Sequence, residues 1–150
     1  MTTLLALDIG GTKVGWGIVE VGQNYTVVER GSIPTEASRG GADVAERICS
    51  LASSLKEAHP EASGVAIASA GVVDPAEGKI VSATDIMPGW GGTPLGKLVA
   101  QRTGLPVRVL NDVHAHGLGE ATLGAGRPYS SVLSIAVGTG IGGALVEDGH

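Results

Sequence analysis

Asp8-Ile9-Gly10-Gly11-Thr12-Lys13 brings a carboxylate, two glycines, a hydroxyl and a cation together directly after an apolar run from Leu4 to Ile9. Glycines let a backbone approach oxygen atoms closely, and successive main-chain N–H groups form a concavity that attracts anions. The stretch therefore reads as a phosphate-binding turn made by Gly10, Gly11, Thr12 and Lys13. Asp8 would hold Mg²⁺ through water, because Mg²⁺ keeps much of its hydration shell when it bridges phosphates. An ordinary hairpin turn fits the same residues equally well. Later in the chain, Gly138-Thr139-Gly140-Ile141-Gly142-Gly143 satisfies the dinucleotide pattern G-x-G-x-x-G. That fingerprint requires a helix to open after the turn, whereas Ala144 to Glu147 followed by Asp148-Gly149 reads as strand and turn. A second phosphate cradle on a hairpin, at Gly138, Thr139 and Gly140, fits better. Gly91 to Lys97 spells G-x-x-x-x-G-K, but Leu98 stands where a P-loop uses Ser or Thr, and no strand precedes it.

Asp112 is the candidate for proton transfer. A carboxylate where a strand ends and a helix begins, beside Asn111, lies in the crevice where α/β folds bind ligands. Helix N-capping is the competing role, common for Asn or Asp at such a position. His114 and His116 lie close by, but residues two apart on a helix do not share a face, which argues against a shared metal ion. Trp90, between Pro88-Gly89 and Gly91-Gly92, could stack on a sugar ring or anchor its loop. Thr84 and Asp85 could contact sugar hydroxyls or form the turn.

The elements that must position these residues follow from periodicity. Leu4 to Ile9 and Lys13 to Val21 form a hairpin, and Tyr25 to Ile33 supplies a third strand. Ala42 to Ala58 repeats apolar residues at helical spacing, with Pro60 beyond its end. Gly64 to Ala68 is a short buried strand, and Val72 to Val81 reads as a small surface excursion. A second helix has Thr93 as its N-cap, Pro94 at its first position and Gly104 past its end. Val107 to Leu110 is a strand, Asp112 to Leu123 a helix and Val132 to Val137 a strand. Strands alternating with helices indicate an α/β fold. Leu4 to Thr12 is echoed by Val132 to Gly140, each copy followed by a second strand, so two similar units are expected. The first lobe is assigned to residues 1–120, and residues 121–150 form the opening hairpin of a second lobe that is cut short.

Composition narrows the classes of function. The 150-residue chain is 43% hydrophobic, enough for a core of ordinary size. Its net charge of −5 and lack of Lys or Arg clusters argue against a nucleic-acid partner. The apolar runs are far shorter than the roughly 20 residues of a membrane span, and no signal peptide is evident, so a cytoplasmic location is expected. Cys49 is alone, which excludes a disulfide framework and a Cys-based metal site, and it reads as a buried small hydrophobe. Glycine reaches 25 residues where about 7% is usual, as many tight turns or close approaches to a ligand require.

Taken in order, Asp8 to Lys13, Ala66 to Gly71, Pro88-Gly89-Trp90, Gly104 to Val107 running into Asn111-Asp112, Gly119-Glu120, Gly124 to Gly126 and Gly138 to Gly143 resemble the ROK family of sugar kinases and repressors. The resemblance covers nearly the whole chain. It implies an actin-like ATPase (ribonuclease H-like) fold, with a mixed sheet flanked by helices. The implied activity is transfer of the ATP γ-phosphate to the 6-hydroxyl of a hexose or N-acylhexosamine, glucose or N-acetylmannosamine. Asp112 would be the base, Gly71, Asp85 and Asn111 sugar ligands, and the two glycine turns clamps for ATP and Mg²⁺ in a closing cleft. A homodimer is also implied. The chain departs from the family pattern at Asp85, where Asn is usual, and at His114 and His116. The family's zinc-binding motif, second sugar-binding cluster and adenine pocket would lie beyond His150, so the chain alone is expected to be inactive. Two other readings are a ROK-type repressor, whose helix-turn-helix domain would precede the first strand, and a noncatalytic sugar-binding lobe.

Overall fold

The first apolar run folds as β1 (Thr2–Ile9) and turns through residues 10–12 into β2 (Lys13–Val21), which leads to β3 (Tyr25–Pro34). Both pairs are antiparallel, with Leu5 opposite Ile18 and Ile9 opposite Val14. This computed structural model describes residues 1–138 and 141–150. After a 3-10 turn at Ala37–Arg39, helix α1 (Gly41–Ala58) crosses over to β4 (Ala62–Ser69), which pairs parallel with β1. A parallel neighbour requires such a crossover, since a tight turn can only reverse the chain. A short hairpin of β5 (Val72–Asp74) and β6 (Lys79–Ser82), helix α2 (Leu95–Thr103) and β7 (Val107–Asn111) follow. The main sheet is five-stranded and mixed, in the order β3-β2-β1-β4-β7.

The helical spacing of Val44, Ile48, Ala52 and Leu55 gives α1 one buried stripe. That stripe shares a core with Leu5, Leu7, Ile9, Val14 and Ile18 of the sheet and with Leu95 and Val99 of α2. Burying each such aliphatic side chain contributes about 1.5–3 kcal/mol. Arg102 of α2 donates to both carboxylate oxygens of Glu46 on α1 at 2.9 and 2.8 Å. These bonds hold the Glu46 carboxyl below its ordinary value. Both partners are exposed, so the pair adds little stability. Cys49 lies in the core as expected, and burial pushes its thiol pKa up.

One expectation is refined and one corrected. The β5–β6 excursion lies largely on the surface as expected, with Val72 and Val81 more than half exposed, but Ile80 is fully buried in the core. Strand β6 is held there by Ile80 N–H donating to Thr93 O at 2.9 Å and Gly92 N–H donating to Ile80 O at 2.7 Å. Thr93 is not the N-cap of α2. Its carbonyl is spent on β6, and Pro94 takes the cap position without a side-chain cap bond, its carbonyl accepting from Leu98 N–H at 3.1 Å. Gly104 does end the helix in the left-handed conformation, at φ 71°.

Contacts divide the chain into compact units at Met1–Leu110 and Asn111–His150. The second unit contains α3 (Asp112–Thr122) and an antiparallel hairpin of β8 (Ser131–Val137) and β9 (Ile141–Glu147). Sequence periodicity had grouped α3 with a lobe ending at residue 120. The helix belongs instead with the hairpin, because Gly117 packs so closely that a Cβ there would lie 2.7 Å from the Ala144 Cβ.

The expected repeat holds in register. Leu133 opposes Leu145 and Val137 opposes Ile141, as Leu5 opposes Ile18 and Ile9 opposes Val14. Burial distinguishes the two hairpins. Leu5, Leu7, Ile9, Val14 and Ile18 are at most 3% exposed, whereas Leu133, Ile135, Val137, Ile141 and Leu145 are 60–81% exposed. In the second hairpin α3 covers only the opposite face, which carries Ser134 and Ala144. Contiguous exposed apolar surface of this kind takes up apolar dyes. Leu133→Ser combined with Leu145→Ser is expected to lower anilinonaphthalene sulfonate fluorescence of the 150-residue chain severalfold without changing its far-ultraviolet circular dichroism. Unchanged dye binding would show that the face is not open in solution.

Candidate functional site

Strand parity places the first candidate. Side chains alternate along β1, so burying Leu7 and Ile9 puts Asp8 on the other face, where it is exposed. The turn that follows is closed by Gly10 N–H donating to Lys13 O at 3.0 Å. Thr12 and Lys13 are exposed, and Lys13 forms no ion pair among the described residues. Neither Gly10 nor Gly11 has positive φ, and a Cβ on Gly10 would meet only Lys13 O at 3.4 Å, so it is at Gly11 that space is tight. A Cβ on Gly11 would lie 2.7 Å from Cγ2 of Ile86, in the loop that carries Asp85.

The β1–β4 pairing brings a second turn alongside. Ile9 pairs with Ser69, and Ala70 N–H donates to Ile9 O at 3.0 Å, so the Gly10 and Gly71 turns leave the sheet side by side. Gly71 has φ 99°, and a Cβ on it would lie 2.7 Å from Ser82 O. Only glycine satisfies both conditions. Asp85 is exposed on the loop between β6 and α2. The first unit therefore gathers Asp8, the Gly10–Lys13 turn, Gly71 and the Asp85 loop at one end of its sheet.

Trp90 takes the anchoring role and not a stacking one. It is fully buried, and its Nε1 donates to Ser69 Oγ at 3.2 Å. The same hydroxyl donates to Ala70 O at 3.0 Å. The indole thus fixes the base of the Gly71 turn. Ser69 and Thr35 are site-supporting residues that sequence reasoning missed. A single hydroxyl at the end of an apolar strand carries no pattern, and only burial reveals it.

In the second unit Asn111 is the N-cap of α3, its Oδ1 accepting from Val113 N–H at 3.0 Å and His114 N–H at 3.2 Å. Capping, weighed for Asp112, thus falls to its neighbour. Asp112 is the first helical residue, half-buried, with Oδ1 accepting from Val113 N–H at 2.9 Å. A carboxylate there also gains from the positive end of the helix, by about 0.3–1 kcal/mol. His114 and His116 both lie exposed on α3. Gly138 follows the end of β8 at Val137, while Thr139 and Gly140 lie outside the described residues. Strand β9 follows directly, where a dinucleotide fold would open a helix.

A separate cleft of about 670 Å³ between α1, α2 and the Gly89–Pro94 loop is lined by Ala45, Cys49 and Leu98, and contains none of these candidates. No helix among the described residues is long and apolar enough to cross a membrane.

A mixed sheet flanked by helices, with glycine turns at its strand ends and a second hairpin repeating the first, defines an actin-like ATPase fold. The ROK family model matches residues 4–150, and the chain belongs to the ROK family. It is 34% identical to the glucokinase of Thermotoga maritima over 147 residues, which is 98% of this chain and 45% of that protein. It is also 34% identical to the N-acetylmannosamine kinase of Escherichia fergusonii over 148 residues, covering 98% of this chain and 48% of that enzyme. The structure of a ROK glucokinase from Streptomyces griseus in complex with glucose and AMPPNP superposes with a TM-score of 0.83 at 31% identity, over 99% of this chain and 45% of the other. A ROK family transcriptional regulator shares the fold, with a TM-score of 0.86 at 22% identity over 98% of this chain and 37% of its own. The chain spans about half the length of the curated relatives it matches.

The geometry at Gly71 has a measurable consequence. Gly71→Ala is expected to destabilise the first unit by about 1–3 kcal/mol, since left-handed backbone and a blocked Cβ position act together. Urea unfolding followed by the fluorescence of buried Trp90 would detect it, and an unchanged midpoint would contradict the assigned conformation.

Proposed function

We propose that the protein transfers the ATP γ-phosphate to the 6-hydroxyl of a hexose or N-acylhexosamine, with glucose and N-acetylmannosamine the leading substrates. The observation that carries this reading is the closed Gly10–Lys13 turn, which sets Asp8 and Lys13 outward beside Gly71. The donor set suits a nucleotide: the turn offers main-chain N–H groups and a cation to phosphate oxygens, and Asp8 is an exposed hard-oxygen ligand of the kind Mg²⁺ takes through water. Gly10, Gly11, Thr12 and Lys13 would hold the phosphates, with Gly138, Thr139 and Gly140 of the later hairpin as the second clamp. When bound, Mg·ATP supplies the phosphoryl group and neutralises its developing charge.

Asp112 acts as the general base. It would hydrogen-bond the sugar 6-hydroxyl and accept its proton as that oxygen takes the γ-phosphoryl group and ADP departs with the bridging oxygen. Gly71, Asp85 and Asn111 are the proposed sugar contacts. Because Asn111 caps α3, Asp112 can be replaced without removing the cap. The proposed partners are the sugar, ATP and a second copy of the protein. The net charge of −5, without clusters of Lys or Arg, supports the reading without a nucleic-acid partner.

In the intact protein, wild type is expected to release ADP in a sugar-dependent manner when assayed across hexoses and N-acetylhexosamines. Asp112→Asn should lower kcat by about 10²- to 10⁴-fold with little change in sugar affinity. Absence of sugar-dependent ADP release would reject the kinase reading, and full activity in the variant would remove Asp112 from its role.

A further inference from the structure

Thr35 follows β3 and is 1% exposed, one of two buried polar residues among the described residues, the other being Ser69. Its hydroxyl donates to Gly10 O at 2.6 Å, and its own N–H donates to Thr12 O at 3.0 Å. Side chain and main chain of one residue therefore hold two carbonyls of the glycine turn. A third carbonyl of the turn's four, Lys13 O, is held within the turn by Gly10 N–H at 3.0 Å.

The direction of these bonds matters more than their number. Every peptide in the described chain is trans, and in a planar trans peptide the C=O and the following N–H point opposite ways. Drawing Gly10 O and Thr12 O toward Thr35 therefore turns the N–H groups of Gly11 and Lys13 away from it. Two glycines in succession have no such preference of their own, because glycine populates widely different φ values at similar cost. Something outside the turn must select its conformation. Thr35 is suited to this, since a β-branched side chain has restricted χ1 and presents its hydroxyl in a fixed direction.

Thr35 is itself held from the other side. Arg47 on α1 donates from Nη2 to Pro34 O at 2.8 Å and lies 3.6 Å from Glu36 Oε2 through Nη1. Glu36 adopts left-handed backbone at φ 55°, an uncommon conformation for a residue other than glycine, and Arg39 pairs with it at 3.2 Å. A buried helix face, an arginine, a threonine and the glycine turn thus form one connected support.

We infer that Thr35 is a positioning residue that presets the Gly10–Lys13 turn for anion binding, acting through main-chain carbonyls without touching the ligand. The inference rests on the phosphate role proposed for that turn. Its worth lies in preorganisation: a turn already in the binding conformation loses less freedom when phosphate arrives.

The test measures AMPPNP binding in the presence of Mg²⁺ by titration calorimetry, using the intact protein, with circular dichroism to check folding. Thr35→Val keeps the shape and removes the donor, and should weaken binding about tenfold, equivalent to about 1.4 kcal/mol. Thr35→Ser restores the donor and should bind within about threefold of wild type by the same scale. Thr35→Cys, a weaker donor of similar size, should fall between them. If Thr35→Val does not fold, the Cys and Ser variants decide the matter, and equal affinity in those two overturns the inference. Wild-type affinity in a folded Thr35→Val variant overturns it alone, leaving the phosphate site intact. Loss in the Ser variant with wild-type affinity in a folded Val variant overturns it in favour of methyl packing, and equal loss in the two overturns the hydroxyl as the deciding group. A wild type that binds no AMPPNP overturns both this inference and the nucleotide role of the turn.

Discussion

The alternation of side chains along β1 is the constraint on which the rest depends. Leu5, Leu7 and Ile9 enter the core together because they share one face of the pleat, and that choice sends Asp8 to the other face at the strand's end. A shift of register by one residue would bury the carboxylate and expose the aliphatics. The hydrophobic effect, which is indifferent to chemistry, thus fixes the position of a charged group that chemistry needs. The same pairing delivers Gly71 beside Gly10, since β4 runs parallel to β1 and both strands end at the same level.

Rigid support for glycine turns comes from residues that are not glycine. Thr35 holds Gly10 and Thr12, while Trp90 and Ser69 secure the base of the Gly71 turn. The Thr35 and Ser69 hydroxyls and the Trp90 N–H are each matched by a partner, as groups removed from water generally are. The economy of the arrangement is that the bonds satisfying buried hydroxyls are the bonds that shape the turns. The β5–β6 hairpin contributes in the same way, because Ile80 is packed into the core and its backbone is tied to the segment that leads into α2.

The two hairpins show how one sequence pattern is used under different packing. Their aliphatic faces match residue for residue, yet the first is sealed by the stripe of α1 and the second lies open, with α3 on its reverse side. Hairpin formation is a matter of local pairing and turn chemistry, whereas covering a face requires a remote segment.

Much of the fold was legible from residue order alone. Short apolar runs marked β1 and β8, alternation marked β2, the Val44-Ile48-Leu55 spacing marked α1, and Gly104 marked the end of α2, because these signals depend on neighbours a few residues away. The repeat was legible too, as a match between two hairpins whose strand pairing the fold bears out. What tertiary structure alone decided was the work of side chains whose partners are distant in sequence. Thr35 meets Gly10 across 25 residues and Trp90 meets Ser69 across 21, and no periodicity encodes either contact. The burial of Ile80 and the grouping of α3 with the second hairpin belong to the same class. In each case several local roles were sterically open, and the choice was made by which buried group needed a partner once the chain had folded.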